Sequence, residues 1–152
     1  MRQFFEDLFG ITAKKLLTFN GENERHLAVR NNNVAKLKTL LEKGLIKADD
    51  TLDKHNNLTI LSYAVAMNRK EIVKLLLIWG ADPNQADLWG TTPVMRAAAN
   101  EDPSILEMFL DRKLANLNAK DDLGRTACDY ADLYDYDQNL KLMECPVKSE
   151  MA

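Results

Sequence analysis

The sequence predicts an all-α solenoid of stacked helix-turn-helix units with projecting β-turn loops. Three observations carry this. Thr59, Thr92 and Thr126 stand in equivalent settings at intervals of 33 and 34 residues. Gly44 and Gly80 close two matching apolar helices, "VAKLKTLLEKG" and "EIVKLLLIWG". The second of these carries Ile72, Val73, Leu75, Leu76 and Leu77, an apolar face too wide for an isolated helix pair to cover, so neighbouring units must cover it. Counting back from Gly44 places the first unit near Asn23, and the 133 residues from Asn20 onward divide into four units of about 33.

Each element of a unit has its own signal. Thr92 suits an N-cap, because its hydroxyl can take an orphan amide, and Pro93 follows at the position where no amide bond is lost. The small residues Ala97, Ala98 and Ala99 let a second helix approach closely. Asp102-Pro103 repeats the cap logic before "SILEMFLDRKL". Gly80 supplies the left-handed residue that commonly ends a helix, and Asp82-Pro83-Asn84 then turns the chain back towards the next Thr-Pro start. After Gly44 the segment "LIKADDTLDKHNNL" makes an enlarged loop before Thr59.

These residues resemble the ankyrin repeat family, whose unit has the form DxxGxTPLHxAA followed by a helix like EIVKLLLxxGADxN. "NNLTILSYAVAMNRKEIVKLLLIWGADPNQAD" matches closely, "LWGTTPVMRAAANEDPSILEMFL" well and "LGRTACDYA" partially. The resemblance implies a repeat domain over residues 20–144, with units at about 20–53, 54–86, 87–120 and 121–144. An N-terminal capping helix or helices over 1–19 precede it, and a tail over 145–152 follows. Glu24 and Arg25 replace the Pro and Leu of the first helix start, as expected of a polar terminal unit.

Composition excludes several function classes. The 152 residues hold 20 Lys plus Arg against 23 Asp plus Glu, a net charge of -3, which gives no general attraction for nucleic acid or anionic membranes. The balance is uneven: residues 101–152 carry 12 acidic and 6 basic side chains, and residues 1–100 carry 11 acidic and 14 basic. The acidic end therefore suits a partner with a basic surface. No apolar stretch reaches the roughly 20 residues needed to cross a bilayer. Cys128 and Cys145 are too few for a disulfide framework or a zinc site, so a reducing, cytoplasmic setting is expected. Cys128 takes the slot of a buried Leu, and Cys145 falls in the tail.

Nothing in the sequence supports catalysis or a cofactor. His26 falls at the position of the family's TPLH histidine, where a structural role is expected, and His55 lies in a loop; neither has a partner at a catalytic spacing. Asp135, Asp137 and Asn139 alternate as in an EF-hand loop, but Leu140 stands where the sharp turn needs Gly and Pro146 where a bidentate Glu belongs. Glycines are scattered singly, without a phosphate loop. The expectation is no enzyme, no metal and no cofactor.

The resemblance implies instead a concave protein-binding surface made by the turn tips and the exposed side of the inner helices. Carried over by position, the tips offer His55, Asn56 and Leu58, then Leu88, Trp89 and Thr91, then Asp122, Leu123 and Arg125. The inner helices offer Arg30, Asn31, Ala66, Met67, Ala99, Asn100, Leu133 and Tyr134. Leu88, Trp89, Leu123, Met67 and Tyr134 are apolar where a merely soluble solenoid has no need of apolar groups, and Trp89 is the strongest anchor. The expected function is a monomeric recognition module that inhibits or neutralises a partner protein. A bacterial immunity protein that plugs a toxin is one concrete version. The alternative is a scaffold or effector subunit tethered through "FFEDLF", whose Phe4, Phe5, Leu8 and Phe9 otherwise cover the open end of the stack.

Overall fold

The computed structural model describes residues 24–146. The expectations for Phe4, Phe5, Leu8 and Phe9, for the start of the first unit and for the end of the tail lie outside these residues. The described chain forms four helical hairpins: α1 (Glu24–Arg30) with α2 (Val34–Glu42), α3 (Ile60–Ala66) with α4 (Lys70–Ile78), α5 (Pro93–Ala98) with α6 (Ser104–Asp111), and α7 (Ala127–Leu133) with α8 (Asp137–Leu142). Helices α1, α3, α5 and α7 pack in succession as an inner row, and α2, α4 and α6 as an outer row.

Helices α3, α5 and α7 start where the threonines stand. Thr59 Oγ1 accepts from the Ser62 amide, Thr92 Oγ1 from Met95 and Thr126 Oγ1 from Asp129, each satisfying an amide that has no partner within the helix. Pro93 occupies the first turn of α5. Asp102 acts as expected, but from one position earlier. Pro103 sits at the N-cap of α6, and Asp102 reaches past it to accept from the Ser104 amide at 3.0 Å and from Ser104 Oγ at 2.6 Å.

Packing follows the small residues. Ala97, Ala98 and Ala99 are fully buried where α5 meets its neighbours α3 and α7. On the outer row, α4 buries Ile72, Val73, Leu76 and Leu77, and α6 buries Ile105, Leu106 and Phe109. Fully burying one such side chain contributes roughly 1.5–3 kcal/mol, so each hairpin depends on the units beside it. Polar groups also cross between units. Lys70 Nζ lies 2.5 Å from Asp102 Oδ2 and 3.1 Å from Ser104 Oγ, and Asn139 Nδ2 donates to the carbonyls of Ala98 and Asn100 at 2.9 and 2.7 Å.

The enlarged loop before Thr59 contains the only strands among the described residues, β1 (Thr51–Asp53) and β2 (Leu58–Thr59), paired antiparallel with Thr51 opposite Thr59 and Asp53 opposite Leu58. Asp53 stands six residues before its threonine, whereas Asp87 and Asp121 stand five before theirs. The extra residue appears as the irregularity between Thr51 and Asp53.

Two expectations are corrected. Cys128 and Cys145 form a disulfide, with their Cα atoms 5.9 Å apart, because α8 folds back along α7 and carries its C-terminal end over the start of that helix. The cysteines therefore do not argue for a reducing compartment. Ala66 and Ala99, expected on an open concave face, are 6% and 0% exposed, because each is covered by the following unit.

Candidate interaction surface

Each projecting tip is organised by one aspartate. Asp87 Oδ1 accepts from the amides of Trp89 (3.0 Å) and Thr91 (2.9 Å), the Asp87 amide donates to Thr91 O, and the Gly90 amide donates back to Asp87 O. Asp121 repeats the pattern, accepting from the amides of Leu123 and Arg125 at 3.0 and 2.8 Å. Asp53 accepts from the His55 amide at 2.9 Å and from Asn56 Nδ2. The tight turn needs a left-handed residue, supplied by Gly90 (φ 75°), Gly124 (φ 77°) and, in the irregular tip, Asn57 (φ 53°).

The tips are joined to one another through their backbones. The Leu88 amide donates to Asn56 O at 2.9 Å and the Asp122 amide to Trp89 O at 3.0 Å. Asn57 Nδ2 adds a bond to Ala86 O at 3.0 Å. His55, Leu88 and Asp122 thereby share one register position, and Asn56, Trp89 and Leu123 share the next.

Charged groups behind the tips fix their geometry. Asp87 Oδ2 pairs with the guanidinium of Arg96, and both side chains are fully buried. Burial lowers the Arg96 pKa, opposed by the Asp87 charge and hydrogen bond. In the next unit, Asp121 Oδ2 accepts from Arg125 Nε and from the Tyr130 hydroxyl, both at 2.8 Å. Tyr130 in turn accepts from Arg125 Nη2 and lies 3.4 Å from Thr91 Oγ1 of the preceding unit. Burial alone would raise the Asp121 pKa, but the bonds from Arg125 and Tyr130 outweigh it and hold the carboxyl below its usual range.

The predicted contact residues fall into two groups. Leu88, Trp89 and Leu123 sit on consecutive tips and are 60%, 38% and 76% exposed; His55 and Asp122 are exposed beside them. The others are engaged internally. Arg125 stacks on the Tyr130 ring at 4.7 Å while bound to Asp121, and Met67 packs half-buried against the core. Tyr134 stacks on Tyr136 with ring centroids 5.9 Å apart, and Arg30 is half-buried, with its backbone carbonyl, not its side chain, accepting from the Arg69 guanidinium at 2.6 Å. Sequence reasoning gave no role to Asp87, Asp121, Arg96 or Tyr130, although the aspartates stand at the first position of the quoted DxxGxT pattern. His26 meets the Tyr63 ring edge-on at 5.9 Å. Asn139 is turned inward while Asp135 and Asp137 are exposed, so the alternating trio does not converge on one point.

Comparison with known proteins agrees with this architecture. A family model described as ankyrin repeats (3 copies) matches residues 3–87, and one described as ankyrin repeat matches residues 89–122. The chain is 34% identical over 94 residues to the B-cell lymphoma 3 protein homolog of Mus musculus, covering 60% of this chain and 21% of that protein. It is 34% identical over 106 residues to the inactive serine/threonine-protein kinase TEX14 of Bos taurus (68% and 7%). It is 33% identical over 95 residues to the transient receptor potential cation channel subfamily A member 1 of Homo sapiens (62% and 8%). The chain thus spans between 7% and 21% of the length of these relatives. The fourth hairpin lies beyond the matched residues, but its threonine cap, aspartate-centred tip and left-handed glycine repeat those of the third. The chain belongs to the ankyrin-repeat family, whose repeats are protein–protein interaction modules.

Proposed function

We propose that the chain captures a partner protein on its row of tips, with Trp89 as the central anchor, and that capture inhibits or neutralises the partner. The observation that carries this reading is the exposure of Leu88, Trp89 and Leu123 on adjacent tips that are hydrogen-bonded to each other. Ordering flexible loops on binding consumes interaction energy, and these tips are already ordered by Asp87, Asp121 and the bonds between tips. An aromatic anchor at an interface centre often contributes 2 kcal/mol or more. No site of converging catalytic groups enters the proposal, because the charged groups near the tips are committed to holding the backbone.

A photo-crosslinking residue at position 88 tests the reading, with position 78 on the outer helix α4 as its control. The partner is expected to crosslink from 88 and not from 78, and its own activity is expected to fall on addition of the purified chain. Equal crosslinking from both positions, or a partner left fully active, would reject it.

A further inference from the structure

We propose a second docking surface at the C-terminal ends of the outer helices, where Ile78 and Trp79, flanked by cations, take an extended acidic segment of another protein. Lys43, Trp79 and Arg112 are the C-cap residues of α2, α4 and α6, and Glu42, Ile78 and Asp111 are the last helical residues before them. The first and third units thus show solvent an acidic and a basic residue at the place where the second shows Ile78 and Trp79, which are 65% and 43% exposed. The helix end does not need that pair. The amides of Gly80 and Ala81 donate to the carbonyls of Leu77 and Leu76, and Ala81 and Leu76 are the buried apolar residues of this closure. The loops that follow are tied between units: the Asp82 amide donates to Asp49 Oδ1 at 2.8 Å, and Asn84 Nδ2 donates to the Leu114 carbonyl at 2.7 Å. The edge is therefore ordered before a ligand arrives. Trp79 has a described unit on either side, α2 before it and α6 after it, so its exposure is set within the described residues.

Charge decides between the possible occupants. Lys43, Lys74, Arg112 and Lys113 are exposed along this edge, with Lys74 one turn before Ile78 on the same helix face, and none of the four enters an ion pair among the described residues. The carboxylates nearby are mostly engaged: Glu42 pairs with Lys38, Asp49 accepts from the Asp82 amide, and Asp82 accepts from the Asn84 amide. Asp111 alone stands exposed against the four cations at the end of α6. A second copy docking on the same edge would set cations against cations, whereas an acidic segment supplies the opposite charge. A bilayer would need several apolar side chains level with one another, and the units on either side of Ile78 and Trp79 present charged residues instead. Packed helices lie about 8–10 Å apart, so Lys43 and Arg112 stand roughly 16–20 Å apart with Trp79 between them. An extended chain advances about 3.3 Å per residue, so two carboxylates about six residues apart, with an apolar side chain midway, match this row. The ligand is distinct from the partner on the tips, and the surface shares no residue with the tip row.

The test is an NMR titration of the full chain with a serine-rich peptide carrying a central leucine between two glutamates about six residues apart, and with its lysine counterpart. The glutamate peptide is expected to shift the Trp79 indole and the amides around Ile78, Lys43 and Arg112, and to bind more weakly as salt rises. Its affinity should fall about tenfold in Trp79→Ser and about threefold in Arg112→Glu, and stay unchanged in Trp89→Ala, once melting curves show that all three variants fold. The shift map of the unaltered chain tests the surface even where a variant fails to fold. Shifts scattered over the molecule or centred on the tips, equal binding of the lysine peptide, or equal weakening by Trp89→Ala would overturn the proposal. So would a dimer that Trp79→Ser dissolves, shifts of the same residues by anionic vesicles but not by the peptide, or tighter peptide binding in Phe5→Ser. Those three results would assign the edge to a second copy, to a lipid surface or to the chain's own N-terminal segment.

Discussion

Gly90 lies so close to Asp121 of the following tip that a Cβ built on Gly90 would sit 2.9 Å from the Asp121 Cα and 3.1 Å from the Asp122 amide nitrogen. The left-handed conformation costs an alanine about 1 kcal/mol, and the clash with backbone adds to it. Gly90→Ala is expected to destabilise by roughly 2–4 kcal/mol in urea unfolding. Gly124→Ala, with the same sign of φ and open space around it, should lose only about 1 kcal/mol. Equal losses would contradict the close approach of the tips.

The two aspartate-centred tips differ in what holds them. Arg96 and Asp87 form a fully buried pair, so Arg96→Met strands a buried carboxylate and should cost about 3–5 kcal/mol. Arg125 is 38% exposed, and Asp121 keeps its bonds to Tyr130 and the tip amides without it, so Arg125→Met should cost about 1 kcal/mol. Denaturant midpoints at constant m-value check the ranking.

Acid should unfold the chain through a defined set of carboxylates. The Asp102 pKa is lowered chiefly by its bond to Lys70, and that of Asp129 by the Thr126 amide and hydroxyl. Asp121 is also lowered, its bonds to Arg125 and Tyr130 overcoming the effect of burial. A carboxyl whose folded pKa is depressed contributes stability above its ordinary value of about 3.9 and loses it as pH falls towards the folded value. Stability is therefore expected to be nearly flat from neutral pH to about 5 and to fall below about 4. Asp102→Asn should flatten part of that fall, and an unchanged profile would remove Asp102 from the set.

The Cys128–Cys145 disulfide closes a loop of 17 residues within the last hairpin. Loops of this size are worth about 3 kcal/mol in the chain-entropy account. Reduction, or Cys145→Ser, should lower the melting temperature and speed hydrogen exchange mainly in α7 and α8, because each repeat depends on its nearest neighbours. Uniform acceleration across all four hairpins would contradict this local role.

The repeat was legible because its signals are local. Thr59, Thr92 and Thr126 cap their helices through bonds that span three residues, and Gly44 and Gly80 end theirs at positive φ. The equivalent helix ends at Lys113 and Glu144 also take positive φ, at 54° and 55°, and residue type gives no sign of that. Leu88, Trp89 and Leu123 could be placed by register alone. The burial of Arg96 and the commitment of Arg125 could not, since each depends on where a carboxylate's second oxygen points. The disulfide was hidden for a similar reason, because it is set by how α8 packs on α7 and not by cysteine number. Ala66 and Ala99 were misplaced because covering by the next unit is a property of the stack.

The account rests most heavily on Trp89 as the anchor of the tip row, and the affinity of the crosslinked partner, once purified, for two tryptophan variants tests it most directly. Trp89→Ala is expected to weaken binding at least about tenfold with little change in melting temperature, while Trp79→Ala, exposed at the end of α4, leaves affinity intact. Unchanged affinity in Trp89→Ala, or an equal loss in Trp79→Ala, would contradict it.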